Sequence, residues 1–387
     1  EASARGNAAQ LGRDYLDLNE DGRLRFFQLL TEDYGVDPDG LNQAMDGVRE
    51  AESNPATYAK AVDQLRQRLE SPRTNLFRQF NSLSHGIKFL VDIRNDLRGW
   101  LGAHTELRPV DDELRSLLSA WFDAGFLELR HVTWAAPANL LEKLIAYEAV
   151  HEIQSWTDLK NRLESDRRCY AFFHPNMPEE PLIFVEVALV DGMADNVQAL
   201  LDEAAPTGNP EDANTAIFYS ISNAQQGLSG VNFGDFLIKQ VVDDLLHEFP
   251  NLKTFATLSP IPGFRDWLDF RFAAGAKLLN HEQEAQIAKL TGDTGDIPPL
   301  QALLDRPDWH QDESITGVLQ PILQHLVSGY LLYQRREGAG TALDPVAHFH
   351  LSNGAQIERI NWLADSSERG MSQSAGMMGN YLYALDQ

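Results

Sequence analysis

The stretch that decides the fold of the second part of this chain runs from residue 216 to residue 249. It reads Ala216-Ile217-Phe218-Tyr219-Ser220-Ile221, then Gln225-Gln226-Gly227-Leu228-Ser229-Gly230, and then a helix-like run over residues 233–249. Glycines let backbone N–H groups turn toward one point, and the next helix adds its positive N-terminal end. This order of strand, turn and helix predicts a cradle for phosphate or pyrophosphate, although Gly-Leu-Ser-Gly is also an ordinary turn.

Composition places the chain among globular proteins and limits its partners. It has 387 residues, of which 43% are hydrophobic and 23% charged, with a formal net charge of −25. Such an acidic chain is not expected to bind nucleic acid or an anionic membrane through bulk electrostatics. A local group of N–H donors still allows an anionic ligand. Because Cys169 is the single cysteine, no intrachain disulfide can form. Its apolar neighbours predict that Cys169 is a core residue at the start of a strand.

The sequence contains no pattern that directs it to a membrane or an organelle. No apolar run reaches the roughly 18 residues that a membrane span requires. We find no signal-peptide pattern at the start and no Ser-Lys-Leu address at the end. The expected location is therefore the cytoplasm.

Hydrophobic periodicity divides the chain into an all-helical domain, residues 1–135, and an α+β domain, residues 136–387. In the first domain, residues 76–101 read as one long amphipathic stretch. In the second, strands are predicted at 169–173, 182–189, 216–221, 254–258, 347–351 and 355–363. Helices are predicted at 137–150, 156–163, 191–203, 233–249 and, with a break near 292–299, 265–335.

A second cluster of informative residues surrounds one serine. The run Leu258-Ser259-Pro260-Ile261-Pro262-Gly263-Phe264 follows a predicted strand, and its prolines hold the hydroxyl in a fixed place. On local evidence alone, the same run is better explained as a rigid strand-to-helix connection with a helix-capping serine. It lacks the Gly-x-Ser-x-Gly elbow of serine hydrolases, and no acid partner is evident, so hydrolysis is a weak alternative.

A histidine pair follows in Asp344-Pro345-Val346-Ala347-His348-Phe349-His350-Leu351-Ser352-Asn353-Gly354. On a strand, His348 and His350 would share one face ahead of an Asn-Gly hairpin turn. No carboxylate or cysteine stands at a companion spacing, so no metal site is expected. This pattern alone does not distinguish a functional histidine pair from a structural one.

Several of these runs resemble malonyl-CoA decarboxylases in the same order along the chain. The matching stretches are 218–222, 225–231, 258–264, 349–355 and 359–365, and the likeness extends over roughly residues 140–385. The resemblance implies a helical, oligomerising N-terminal domain. It also implies a catalytic domain with the N-acetyltransferase (GNAT) superfamily fold and a mixed, mostly antiparallel sheet. In that fold a splayed strand and the glycine-rich turn hold the pyrophosphate of coenzyme A.

The resemblance also assigns site residues. Ser259 and His350 match the family's catalytic serine and histidine, and Tyr383 matches an active-site tyrosine. At Asn232 the chain departs from the animal members, which carry Glu, so an acid or base role there is in doubt. The coenzyme A contacts carried over are Ser220 and Ser222 on the strand, with Gln225, Gln226, Gly227, Leu228, Ser229 and Gly230 in the turn.

The implied function is a lyase of fatty acid metabolism that converts malonyl-CoA to acetyl-CoA and CO2 through an enolate. No separate cofactor is needed, because coenzyme A is part of the substrate and the thioester carbonyl is the electron sink. The resemblance further implies a homodimer or homotetramer. Two alternatives remain: an acyl-CoA-dependent N-acyltransferase of the same fold, and a non-catalytic acyl-CoA-binding regulator.

Overall fold

The computed structural model describes residues 2–231, 233, 236–292, 294–338 and 340–384. Within it the chain forms two compact units. The first contains Glu1–Glu128 together with two later segments, Phe172–Leu182 and Asn223–Phe233. The second contains Leu129–Ala171, Ile183–Ser222 and Gly234–Gln387. The glycine-rich turn, expected in the catalytic domain, therefore belongs to the unit that is built mainly from the N-terminal helices.

The first unit is helical, as the periodicity predicted. Its helices are α1 (Ala2–Asp17), α2 (Glu20–Glu32), α3 (Pro38–Glu50), α4 (Pro55–Leu69), α5 (Pro72–Asn81), α6 (Gly86–Trp100) and α7 (Arg108–Trp121). Helices α3, α4 and α5 each begin at a proline behind a capping side chain, from Asp37, Asn54 and Ser71. Proline suits this position because its missing N–H has no helical partner there.

The expectation of one amphipathic stretch over residues 76–101 was wrong, because a turn separates α5 from α6. His85 adopts a left-handed backbone conformation, with φ of 59°. A Cβ on Gly86 would collide with the carbonyl oxygen of Phe80. The glycine thus lets α6 begin directly against the end of α5, and hydrophobic periodicity cannot show such a close backbone approach.

The second unit is organised around a mixed sheet. Its strands are β1 (Glu128–Val132), β2 (Arg167–Phe173), β3 (Ile183–Val190), β4 (Thr215–Asn223), β5 (Thr254–Thr257), β6 (Ser259–Pro260), β7 (Ala355–Asn361) and β8 (Met378–Tyr383). The order is β1-β2-β3-β4-β5-β8-β6, and β7 pairs with β8. Strands β5, β6 and β7 all run antiparallel to β8. Sequence periodicity did not predict β1, β6 or β8.

The parallel pair β4–β5 matches the splay expected for the N-acetyltransferase fold. Its register covers only Thr215↔Thr254 to Phe218↔Thr257. Strand β4 continues to Asn223, whereas β5 ends at Thr257. The two strands therefore separate after Phe218, and the end of β4 extends beyond its parallel partner.

The second unit also contains helices. They are α8 (Ala138–Tyr147), α9 (Trp156–Arg162), α10 (Val197–Leu201), α11 (Phe236–Glu248), α12 (Phe264–Ala273), α13 (His281–Thr291), α14 (Pro299–Leu304), α15 (Glu313–Tyr333), α16 (Pro345–Ser352) and α17 (Glu368–Ser374). The helix predicted over 191–203 is limited to the short α10. Among the helices formed by these described residues, none combines the length and apolarity needed to cross a membrane.

The strand predicted over residues 347–351 was wrong, because this segment is helix α16. The Asp344 side chain accepts hydrogen bonds from the amides of Val346 and Ala347, and Pro345 occupies the first turn. This cap and proline start a helix and override the strand-like composition. His348 and His350 therefore do not share a face, and only His350 is buried. The expected Asn-Gly hairpin turn is instead the connection from α16 to β7.

Strand β8 lies between two hydrophobic layers. Met378 belongs to a cluster with Ile217 and Ala256, against which Leu382 packs. Tyr381 belongs to a larger cluster with residues of α12, α14 and α15, against which Tyr383 packs. Alternate residues of β8 thus face opposite layers, as a strand requires. Cys169 is buried in β2, as predicted.

Candidate functional site

Three predicted catalytic residues form one hydrogen-bonded chain in the second unit. The Ser259 hydroxyl lies 3.0 Å from Nε2 of His350. The other ring nitrogen, Nδ1, lies 2.8 Å from the Tyr383 hydroxyl. Ser259 belongs to β6, His350 to α16 and Tyr383 to β8. The fold therefore brings together side chains that are up to 124 residues apart in sequence, from Ser259 to Tyr383.

Thr257 determines the direction of this chain. The Ser259 hydroxyl donates to Oγ1 of Thr257 over 2.9 Å, which uses its single proton. Ser259 must then accept from His350, so Nε2 carries the ring proton. In a neutral imidazole Nδ1 is consequently the acceptor, and the Tyr383 hydroxyl donates to it. The order of donation is Tyr383 to His350 to Ser259 to Thr257.

Burial keeps this chain uncharged. It lowers the pKa of His350 from 6.5 to about 3, because the imidazolium would lose its hydration. Burial also raises the pKa of the Tyr383 phenol, which therefore keeps its proton. Both changes agree with a neutral imidazole that accepts from a protonated phenol. At neutral pH His350 can donate a hydrogen bond without carrying positive charge.

The sheet holds Thr257 at two points, its side-chain hydroxyl and its backbone carbonyl. The Tyr381 amide donates to its hydroxyl oxygen over 3.3 Å. Asn380, which is fully buried, donates to its carbonyl oxygen over 2.8 Å. The Asn380 oxygen in turn accepts from Asn361 and Arg359. Because Asn380 holds its partners with both ends of the amide, the β5–β8 junction is closely constrained.

The ring of His350 also stacks on Tyr381. The ring centroids are 4.6 Å apart and the planes differ by 30°. Tyr381 is fully buried, and its hydroxyl has no hydrogen-bond partner within the part of the chain that the structure describes. The stack fixes the plane of the imidazole, so both ring nitrogens keep their aim toward Ser259 and Tyr383.

The glycine-rich turn is a separate feature and lies in the first unit. Gln226–Leu228 forms a short 3-10 helix. A Cβ on Gly227 would collide with the Val91 carbonyl oxygen of α6, so glycine is needed there for packing. Arg94, completely buried on α6, donates to the carbonyls of Gly227 and Ser229 over 2.6 and 2.9 Å. Helix α6 thus holds the turn in place.

Part of the expected amide cradle is already occupied. The amides of Leu228, Ser229 and Val231 donate to carbonyls inside the turn. Gly230 adopts φ of 79°, a conformation that favours glycine. Gln226 is exposed, whereas Gln225 is buried and donates to the Pro181 carbonyl. The turn is therefore more self-contained than its sequence predicted.

Ser220 and Ser222 lie at the end of β4, where it separates from β5, but their hydroxyls are engaged. Both donate to the Glu148 carboxylate, at distances of 2.8 to 3.1 Å. Glu148 also accepts from the amides of Val150 and His151. These serines therefore leave only their strand backbone for a ligand. Asn232, the remaining predicted site residue, lies outside the described residues.

Sequence reasoning missed Thr257, Asn380 and Glu148. Thr257 ends β5 and stands two residues before Ser259 of β6, a spacing that places both side chains on one face of an extended chain and could have pointed to it. Asn380 and Glu148 act through partners far away in sequence, which no local pattern predicts. Among the side chains that the structure places, no three His, Cys, Asp or Glu residues form a group able to hold a metal ion.

Comparisons with known proteins cover both parts of the chain. The family model "Malonyl-CoA decarboxylase C-terminal domain" matches residues 125–387, and the N-terminal domain model of the same family matches residues 34–122. The mitochondrial malonyl-CoA decarboxylase of Rattus norvegicus is 38% identical over 404 residues, covering 100% of this chain and 81% of the rat protein. The crystal structure of malonyl-CoA decarboxylase from Rhodopseudomonas palustris has 42% identity and a TM-score of 0.90, covering 100% of this chain and 89% of that one. The structure from Agrobacterium vitis has 39% identity and a TM-score of 0.88, with the same coverages.

Proposed function

The chain belongs to the malonyl-CoA decarboxylase family, and from that premise we propose how its residues convert malonyl-CoA to acetyl-CoA and CO2. The observation that carries the proposal is the hydrogen-bonded chain of Tyr383, His350 and Ser259, with distances of 2.8 and 3.0 Å. Its members are held by different strands and a helix, and burial keeps the imidazole neutral.

Decarboxylation sets two requirements for these groups. The bond between the malonyl methylene carbon and the carboxylate carbon breaks, CO2 leaves, and the electron pair moves into the thioester to form an enolate. A proton must then reach the methylene carbon to give acetyl-CoA. The protein must stabilise the enolate oxygen as charge develops and must provide a proton afterwards.

His350 is proposed as the donor to the thioester oxygen or as the source of the proton, and its geometry supports the first role. Its Nε2–H is aimed at a neutral hydroxyl in the free protein, and a thioester oxygen would replace that hydroxyl as the acceptor. Negative charge on the enolate oxygen strengthens the hydrogen bond, because charged acceptors bind N–H donors more tightly. The Tyr383 hydroxyl holds the ring in this tautomer through Nδ1.

Ser259 is proposed to hydrogen-bond the malonyl carboxylate or to orient His350. Its hydroxyl lies between Thr257 and His350, and its proton can turn from Thr257 toward a bound carboxylate. A carboxylate held perpendicular to the thioester plane lets the breaking bond overlap with the carbonyl. At Asn232 the amide can only hydrogen-bond, since it cannot exchange a proton as the glutamate of animal relatives could.

Coenzyme A binding is proposed for the turn in the first unit and for the end of β4 in the second. Gly230, which has a left-handed backbone conformation, and Gln226 are both exposed and thus accessible to a ligand. The backbone of β4 after Phe218 extends beyond its parallel partner β5, so it can pair with the amides of a pantetheine arm. Ser220 and Ser222 would take part through their backbone.

The test is to incubate the purified protein with malonyl-CoA, without acceptor or added metal, and to follow acetyl-CoA and CO2 by mass spectrometry. We expect prompt conversion, and His350→Ala should reduce kcat by about 100-fold or more, the usual scale for losing such a donor. His348→Ala, on the same helix but only partly buried, is the matched control and should keep its activity.

Two results would contradict the proposal. A His350→Ala variant with near wild-type kcat would remove His350 from the reaction. Binding of malonyl-CoA without any CO2 would favour an N-acyltransferase, to be tested with amine acceptors, or a regulatory binder.

We also propose a homodimer or homotetramer, which light scattering on a sizing column would check.

A further inference from the structure

Three guanidinium groups gather beside the glycine-rich turn of the first unit. Arg94 and Arg98 stand one helical turn apart on α6. Arg98 donates to the Ser229 hydroxyl over 3.2 Å. The Arg115 side chain on α7 lies 3.5 Å from where a Cβ on Gly230 would stand. In a chain of net charge −25, such a concentration of positive charge is unexpected.

The three arginines are not equally compensated. Arg94 is buried against Asp111 at 2.8 Å, so its charge is neutralised inside the unit. Burial lowers the pKa of Arg94, Asp111 opposes that effect, and the nearby Arg98 and Arg115 add repulsion. Arg115 forms an exposed pair with Asp112, a type of contact that is easily exchanged. Among the described residues no carboxylate lies within ion-pair distance of Arg98.

The occupied amides of the turn make these side chains more important. Leu228, Ser229 and Val231 already donate inside the turn, so they cannot also surround a phosphate without rearrangement. Arginine binds phosphate oxygens through paired N–H donors that carry full charge. The exposed guanidinium groups of Arg98 and Arg115, beside Ser229 and Gly230, therefore complement an anion better than the turn does alone.

We propose that Arg98 and Arg115 bind phosphate groups of the coenzyme A portion of the substrate. The inference rests on the proposed function for the identity of the ligand. Both residues lie on helices of the first unit, as does the turn that they flank. The helical unit would then recognise substrate, a role beyond the subunit contacts that the family resemblance implied.

The experiment compares malonyl-CoA with malonyl-pantetheine, which has the reacting thioester but no phosphate. For Arg98→Ala and Arg115→Ala we expect KM for malonyl-CoA to rise about 5- to 20-fold each, the scale of a lost charge-assisted hydrogen bond. KM for malonyl-pantetheine should stay within about 2-fold of the wild-type value, because no phosphate contact is lost. Malonyl-dephospho-CoA then separates the 3′-phosphate from the pyrophosphate.

Arg49→Ala is the matched control. Arg49 forms the same exposed pair, at 2.8 Å to an aspartate three residues earlier, as Arg115 does, and it also lies on a first-unit helix. It removes one positive charge away from the turn and should leave both KM values unchanged. Equal losses with both substrates, or none with malonyl-CoA, would overturn the proposal.

Calorimetry separates this inference from the proposed reaction. Free coenzyme A and pantetheine are titrated into wild-type protein and into the Arg98→Ala, Arg115→Ala double variant. Weaker binding of coenzyme A alone would support the phosphate site even in a protein that released no CO2. Coenzyme A binding equal to wild type in the double variant would refute it, whatever the activity.

Discussion

At the residue scale, the chain of hydrogen bonds that ends at Thr257 accounts for the tautomer of His350, in which Nε2 carries the proton. The Ser259 hydroxyl donates its proton to Thr257. The imidazole therefore accepts no proton from Ser259 and instead donates its own Nε2–H to the serine oxygen. This arrangement differs from a serine hydrolase, where the histidine accepts the serine proton and creates a nucleophile. Here the serine is left as a hydrogen-bonding group, which suits decarboxylation.

Thr257 is therefore expected to act as a positioning residue. Thr257→Val keeps the shape but removes the acceptor, so Ser259 would donate to Nε2 and reverse the tautomer. We expect kcat to fall about 10-fold, the larger end for one buried hydrogen bond, and Thr257→Ser to restore most of it. Kinetics with malonyl-CoA and ¹⁵N NMR of the histidine rings would measure both effects. Unchanged ring shifts together with wild-type kcat would refute this role.

The buried imidazole also makes stability depend on pH. The pKa of His350 is 6.5 ordinarily and about 3 in the folded state. Between those values the unfolded chain takes up a proton that the folded protein excludes. The contribution of the neutral His350 to the free energy of unfolding is fully present above pH 6.5 and is lost as the pH falls toward 3. Between about pH 7.5 and about pH 5 it amounts to roughly 2 kcal/mol.

Urea denaturation at both pH values tests this point. His350→Gln cannot titrate, so its free energy of unfolding should change less with acidification than that of the wild type. His281→Gln is the control, because His281 is almost fully exposed. A His350→Gln variant with the full wild-type acid sensitivity would show that His350 does not resist protonation.

At the element scale, local rules predicted some features and failed at others for physical reasons. Hydrophobic periodicity predicted the helical character of the first unit correctly. In the structure, prolines and capping side chains start α3, α4 and α5, because both act within one turn. The same signals, Asp344 and Pro345, were present ahead of α16, yet the apolar run after them was interpreted as a strand. The identities of Ser259, His350 and Tyr383 came from family motifs, whereas Thr257 and Asn380 required the three-dimensional pairing of β5 with β8.

The contact between α6 and the glycine-rich turn leads to a stability prediction. Gly227→Ala would push a methyl group into the Val91 carbonyl, so we expect a loss of about 2 kcal/mol or more, as for overpacked sites. Gly47→Ala on α3 meets no atom within 4 Å and should instead gain about 0.5–1 kcal/mol. Thermal unfolding of both variants would measure the difference. Equal stability of the Gly227→Ala and wild-type proteins would contradict the close approach.

At the scale of the whole molecule, the two compact units do not follow the chain in simple succession. Residues 172–182 and 223–233 interrupt the second unit and cluster with the N-terminal helices. A boundary near residue 135 was the natural prediction, because helical periodicity ends there. Periodicity describes neighbours along the chain, and it contains no information on which distant segments share a core.

This interleaving predicts that residues 136–387 do not form a stable protein alone. Met177 and Leu228 are almost fully buried, and they lie in the segments that belong to the first unit. A fragment without residues 1–135 would expose such side chains. We expect poor solubility and strong binding of a hydrophobic dye, both corrected by co-expression of residues 1–135. A monodisperse fragment that unfolds cooperatively would refute the expectation.

The single cysteine has a practical consequence for following coenzyme A in solution. Cys169 is sealed inside β2, and burial raises the pKa of its thiol well above 9.0, so it holds little thiolate to react with maleimides. We therefore expect thiol-directed dyes to leave the native protein unlabelled. A cysteine introduced at the exposed Gln226 would carry the only fluorophore, and its emission would report occupancy of the turn alone.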